Sequence, residues 1–142
     1  MIDLGTLCGA YSSGSAINNI GQVTGGAYTA GNSAWHAFLY SGNSMVDLGT
    51  LAGSDGTSFG AAINGGGQIV GDSTLTATST LTHAIVYTDG VMYDLNSLLS
   101  NGLIAGDYLT EATAINDSDW IVANSAYDTA YLLNPQIDSP TP

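Results

Sequence analysis

Apolar residues come along this chain in short runs, separated by clusters of Gly, Ser, Thr, Asn and Asp. The apolar runs are rich in β-branched, aromatic and long aliphatic side chains, and no segment keeps the three-to-four spacing of an amphipathic helix. The clearest unit is residues 36–51, HAFLYSGNSMVDLGTL, in which two apolar runs flank Ser41-Gly42-Asn43-Ser44 and predict a β-hairpin. The unit returns at residues 83–99, HAIVYTDGVMYDLNSLL, with Asp89-Gly90 at the turn. Its second half alone opens the chain as MIDLGTL, and its first half alone nearly closes it as TAYLL at 129–133.

The other runs recur in step. AIN stands at 16–18, 62–64 and 114–116; GQVTG at 21–25 returns as GQIVG at 67–71 and more loosely as DWIVA at 119–123. Four blocks in one order, three times over at a spacing of about 46 residues, mark an internal repeat. Each block reads as a short strand. Strands over 15–18 and 21–25 are joined by an Asn/Gly turn, whose equivalents are Asn64-Gly65-Gly66-Gly67 and Asn116-Asp117-Ser118-Asp119. The expectation is an all-β chain of about twelve strands in three four-stranded antiparallel repeats, near 1–40, 41–87 and 88–134. A propeller-blade arrangement is expected, with a β-prism or β-trefoil as alternatives. One short helical turn is expected within 95–103. The Ser/Thr-rich stretch 72–82 reads first as a polar connector, with a strand extension or an O-glycosylated segment as alternatives. Residues 135–142, with all three prolines at or beyond the end of the last repeat, read as a linker-like tail.

Composition sharpens this picture. Of 142 residues none is Lys or Arg, twelve are acidic, and the formal net charge is −12. With no cation to neutralise phosphate, nucleic-acid binding is excluded and anionic membrane surfaces are disfavoured. No run approaches the ~20 apolar residues of a membrane-spanning helix. Cohesion must come from burial and hydrogen bonds, with a surface of Ser, Thr, Asn, Gly and Tyr that suits packing into assemblies. The single cysteine, Cys8, aligns with Ala52, which favours an inert buried thiol over an intermolecular bridge. Met1 aligns with Met45 and Met92, so the repeat itself places a methionine there and it need not be an initiator. No signal-peptide pattern opens the sequence, so secretion implies a leader that has been removed or left out.

These motifs resemble the HAF family of bacterial extracellular repeats, whose pattern runs DLGTLGG, S-x-A-x-AIN, GQVVG, HAFLY. The likeness covers nearly the whole chain and extends to a terminal repeat with DLNSLL, TEATAIND and AYLLNP. It implies a secreted or cell-surface protein with propeller-like blades and no agreed activity. The chain departs from the pattern in its three repeats, Cys8 in place of Gly, the absence of basic residues and the absence of a sorting signal.

Catalytic chemistry finds little support. His36 and His83 share one repeat position, with Thr129 in the third, and a residue that recurs with the architecture is structural before it is catalytic. No Cys/His or Ser/His/Asp constellation appears, and no catalytic residue or cofactor is expected. Asp3, Asp47 and Asp94 also recur, and read as acceptors of backbone N–H groups beside turns; calcium is a minor alternative without EF-hand spacing. Asn116-Asp117-Ser118 is a sequon of weak force. Trp35 and Trp120 are candidate sugar-stacking residues, although aromatics beside strands more often pack.

The separated hairpin halves point to function. A strand through Met1, Ile2, Asp3, Leu4 and Leu7 lacks its partner before it, and one through Ala130, Tyr131, Leu132 and Leu133 lacks its partner after it. Unpaired edges invite pairing. The expectation is that these two lie antiparallel, within one chain or between chains. The function expected is a secreted, non-enzymatic structural or adhesive protein that self-assembles, the alternative being a glycan-binding module.

Overall fold

The computed structural model describes residues 1–100 and 102–134, so the tail expected at 135–142 lies outside the described residues. The alternation of apolar blocks and turn clusters produces three antiparallel sheets, each a simple meander of sequence neighbours. The first holds β1 (Cys8–Ile17), β2 (Val23–Thr29), β3 (Trp35–Ser41) and β4 (Ser44–Asp47). The second holds β5 (Ser58–Ile63), β6 (Ile69–Thr74), β7 (Thr82–Thr88) and β8 (Val91–Asp94). The third has, among the described residues, three strands, β9 (Leu109–Ile115), β10 (Ile121–Ser125) and β11 (Ala130–Leu133).

The expected hairpins form for the expected reason. Gly42 and Asn43 have φ of 58° and 69°, and Asp89 and Gly90 of 51° and 81°. Positive φ at both central residues is the turn whose twist matches paired strands. The equivalent Asn of each AIN block builds the other tight turn. Asn18, Asn64 and Asn116 accept from the backbone N–H of Gln22, Gln68 and Trp120 at 2.9–3.0 Å, while Gln22, Gln68 and Trp120 return a carbonyl to the Asn N–H. Leu95–Leu98 is the short helical turn expected there, capped by the Asp94 carboxylate.

The sheets stack in chain order. Ala37, Leu48, Ile63 and Ile69 form a core between the first and second sheets, joined by Ala16, Leu39, Tyr87 and Met92. Val70, Ala84, Val86, Leu109, Ala112, Ile121, Ala123 and Leu133 form a larger one between the second and third. Gly60 shows how closely the sheets approach, because a Cβ there would run into Thr24 Oγ1 across the first junction. A ladder of asparagines spans both junctions: Asn18 Nδ2 donates to Asn64 O at 3.0 Å, and Asn64 Nδ2 to Asn116 O at 3.1 Å.

Several expectations are corrected. Residues 1–6 are not a strand, and Leu7 makes only an isolated parallel bridge to Thr29. The matching segment at 44–47 is a strand because β3 runs directly before it and supplies the ladder; residues 1–6 have no such neighbour. Among the described residues the first and last segments therefore do not pair within the chain, and no sheet closes on itself. The described strands number eleven, the fourth strand of the third sheet being the one missing. β1 runs from Cys8, well before the expected start at 15, with irregular register at Cys8/Ser12 and Gly14/Ala16. The first and second sheets each keep their HAFLY-type hairpin whole, so the expected boundaries at 40/41 and 87/88 fall inside β3 and β7. The stretch 72–82 divides, with Asp72, Ser73 and Thr74 ending β6 and Thr82 opening β7.

Candidate assembly interface

The recurring His and Asp meet across the hairpin. β3 and β4 pair Phe38 with Asp47, and His36 Nδ1 lies 2.9 Å from the Asp47 carboxylate. In the second sheet His83 Nδ1 stands 2.7 Å from Asp94 Oδ2. Each carboxylate also accepts a backbone N–H two residues on, Gly49 N at 2.7 Å and Asn96 N at 2.9 Å. His36 is buried and its Nε2 meets Ser54 O at 3.1 Å, while the His83 ring lies against Tyr108. Both rings are thus held by strand, carboxylate and loop. The pair is a clasp for the fourth strand, and the sequence shows its two members without showing that they touch.

The third sheet has no clasp. Thr129 stands just before β11 where the histidines stand, and β11 has β10 on one side and no strand on the other among the described residues. Asp3 is the third carboxylate. It accepts Gly5 N at 2.9 Å, as Asp47 accepts Gly49 N, but among the described residues no His or Thr is bonded to it. Beyond Asp3 the chain already has the shape of an inter-sheet linker. Gly5 and Gly49 share positive φ, 84° and 75°. Thr6 Oγ1 donates to Gly9 O at 2.8 Å and Thr50 Oγ1 to Gly53 O at 2.5 Å. Ser12 Oγ donates to Gly5 O at 2.6 Å and Ser58 Oγ to Gly49 O at 2.5 Å. Met1, Ile2 and Asp3 are exposed, Leu4 and Leu7 half-buried.

On β11 the exposed face carries Ala130 and Leu132, while Leu133 is buried and Tyr131 half-buried against the core. If residues 1–4 took the register of residues 45–48, Asp3 would face Tyr131, Ile2 Leu132 and Met1 Leu133. Thr129 would then stand where His36 stands, with a hydroxyl to offer the Asp3 carboxylate.

The remaining candidates separate. Trp35 is half-buried, edge-on to Tyr28 at 4.9 Å, and lies over Gly26. Trp120 is exposed beside the 116–119 turn of a different sheet, so the two do not form one platform. Cys8 is exposed, against the expectation of a buried thiol, because at φ 74° it stands at the very start of β1 with no sheet before it. Among the described residues no group of three or more His, Cys, Asp or Glu could hold a metal. Asp72 was not anticipated. It sits on the β6 face covered by the third sheet, and its pKa is pushed up to about 6, by burial first and then by the Glu111 charge.

Compared with known protein families, curated proteins and solved structures, the chain finds no match in any of the three. The likeness to HAF repeats rests on the motifs quoted above.

Proposed function

We propose that this chain is a non-enzymatic, secreted or cell-surface structural protein of the HAF type, with three propeller-blade-like repeats, that associates with copies of itself. The observation that carries the reading is the three-stranded third sheet. Its β11 edge, open among the described residues, corresponds to the strands that hold a fourth strand in the other sheets, TAYLL against HAFLY and HAIVY with Thr129 in the place of the histidines, and residues 1–4 match the start of that fourth strand. An open edge is a pairing site for another chain, and a segment that fits one chain's edge while belonging to another joins copies head to tail. The ready-formed linker at residues 5–12 lowers the ordering cost of that join.

A surface without Lys or Arg supports the same reading, since it holds few groups that must keep their own hydration. Light scattering over a range of concentrations at moderate salt tests it. The expected result is a mass that rises above that of one chain, and a variant lacking residues 1–4 that stays at one chain. A single-chain mass at every concentration and salt would overturn the reading. Exposure of Trp120 favours a second reading, glycan binding, for which loss of glycan-array signal in Trp120→Ala is the test.

A further inference from the structure

Three positions follow the same row across every sheet. In the first sheet the row is Ala16–Thr24–Leu39, in the second Ala62–Val70–Val86, in the third Ala114–Val122–Leu132. Thr24 and Val70 are fully buried, because the next sheet lies on that face; Val122 is 38% and Leu132 58% exposed. The row Ile17–Val23–Tyr40 on the opposite face behaves in reverse, while Ala27, His36 and Phe38 farther along that face are already buried within the chain. Ile63 is 8% exposed where the first sheet covers it, whereas Ile17, its equivalent in the first sheet, is 68% exposed. The described residues therefore carry both halves of a third junction, one on the first sheet and one on the third.

Resting on the self-association proposed above, we infer that the exposed face of the third sheet docks the Ile17–Val23–Tyr40 row of the first sheet of a second copy, by repeating the chain's own internal junction, in which Ile63, Ile69 and Tyr87 hold the equivalent places. The polar contacts of that junction also stand ready. The asparagine ladder ends at Asn116, which is exposed and whose Nδ2 donates to none of the described residues; the next acceptor in the series is the Asn18 carbonyl of a second copy. Gly60 lies tight against Thr24, while its equivalent Gly14 has only Val23 of its own sheet nearby, which leaves the same space open for Val122. Glu111 lies on the docking face, across from Asn124 and bonded by its Nδ2 at 3.1 Å; Ile17 and Val23 bring no charge against it. Residues 1–7 of the incoming copy would then run along β11 as residues 45–51 run along β3, so edge and face are satisfied by one placement.

The turn residues give a geometric test. Inside the chain Gly65 N donates to Asp117 Oδ1 at 2.7 Å, and a Cβ on Gly65 would stand 3.4 Å from Asp117 Cγ. The equivalent of Gly65 in the first sheet is Asn19, exposed like Asp117. In a Cys8→Ser background, Asn19→Cys and Asp117→Cys chains are mixed and oxidised, with a Gly65→Cys/Asp117→Cys double variant as internal control for reach. The expected product is a covalent dimer containing one of each chain, at least about tenfold over like-with-like dimers, the ratio that separates a docked pair from random collision. Association by light scattering without that mixed dimer overturns the stacking geometry and leaves self-association standing. No association at all overturns both.

Discussion

At the residue scale the chain relies on amide and hydroxyl groups where other proteins use ion pairs. Asn64 is the fullest case. Buried between two turns, it bonds Gln68 through both side-chain atoms and donates to Asn116 O and Asp119 Oδ1. Asn64→Ala would leave several buried groups unpaired and cost about 2–4 kcal/mol in urea denaturation. Asn116→Ala loses only its own turn bonds in a single chain, and should cost about 1 kcal/mol. Asp72 works in the opposite sense. Its pKa rises from 3.8 to about 6 on folding, so the folded state binds its proton more tightly than the unfolded one. The stability this gives is complete below about pH 4 and is lost as pH rises through 6. Asp72→Asn should therefore be more stable than the parent by about 1–2 kcal/mol at pH 7.5, discounted for partial exposure, and the two should converge below pH 4.

At the element scale the hairpin around residues 36–51 is decided by its turn and its clasp. Asn43→Val puts a β-branched residue at φ 69° and should lower stability by about 1–2 kcal/mol in thermal denaturation, whereas Ser44→Val beside it should change little. These turns were legible from residue type alone, as were the order of strands and the role of Asp47 and Asp94 as N–H acceptors. The early start of β1 was not. Residues 8–14, CGAYSSG, have little strand character, and they pair, in an irregular register, because β2 runs beside them. The near-identity of MIDLGTL and MVDLGTL, which differ only at Ile2 and Val46, likewise hid that one is a coil and the other partly a strand. Local sequence sets the turn at Gly5, but a strand exists only where a neighbour supplies its hydrogen bonds. The His–Asp clasp was half visible: each residue recurred in the sequence, while their contact depends on the hairpin register. The exposed row at Ala114, Val122 and Leu132 carries no local signal, since its residues match those buried in the second sheet.

At the scale of the whole molecule, two opposed forces set behaviour. In the proposed assembly, exposed sheet faces and the β11 edge, open among the described residues, would favour association, and a net charge of −12 with no basic side chain would resist it. Raising salt from 10 to 150 mM shortens screening from about 30 to about 8 Å, so association should strengthen with salt, a direction opposite to that of contacts between unlike charges. Val70 and Val122 offer a matched pair within the fold. Val70→Asp places a carboxylate in the core and should unfold the chain, whereas Val122→Asp should leave circular dichroism unchanged and block one end of the stack. Ile17→Asp should block the other end, for Ile17 is exposed in the single chain. The most direct test is sedimentation velocity of these two variants, alone and in equimolar mixture. Each alone should sediment as one chain. Mixed, the free head of one and the free tail of the other should form a two-chain species that grows no further. Variants that assemble separately, or a mixture that stays at one chain under conditions where the parent associates, would contradict head-to-tail stacking.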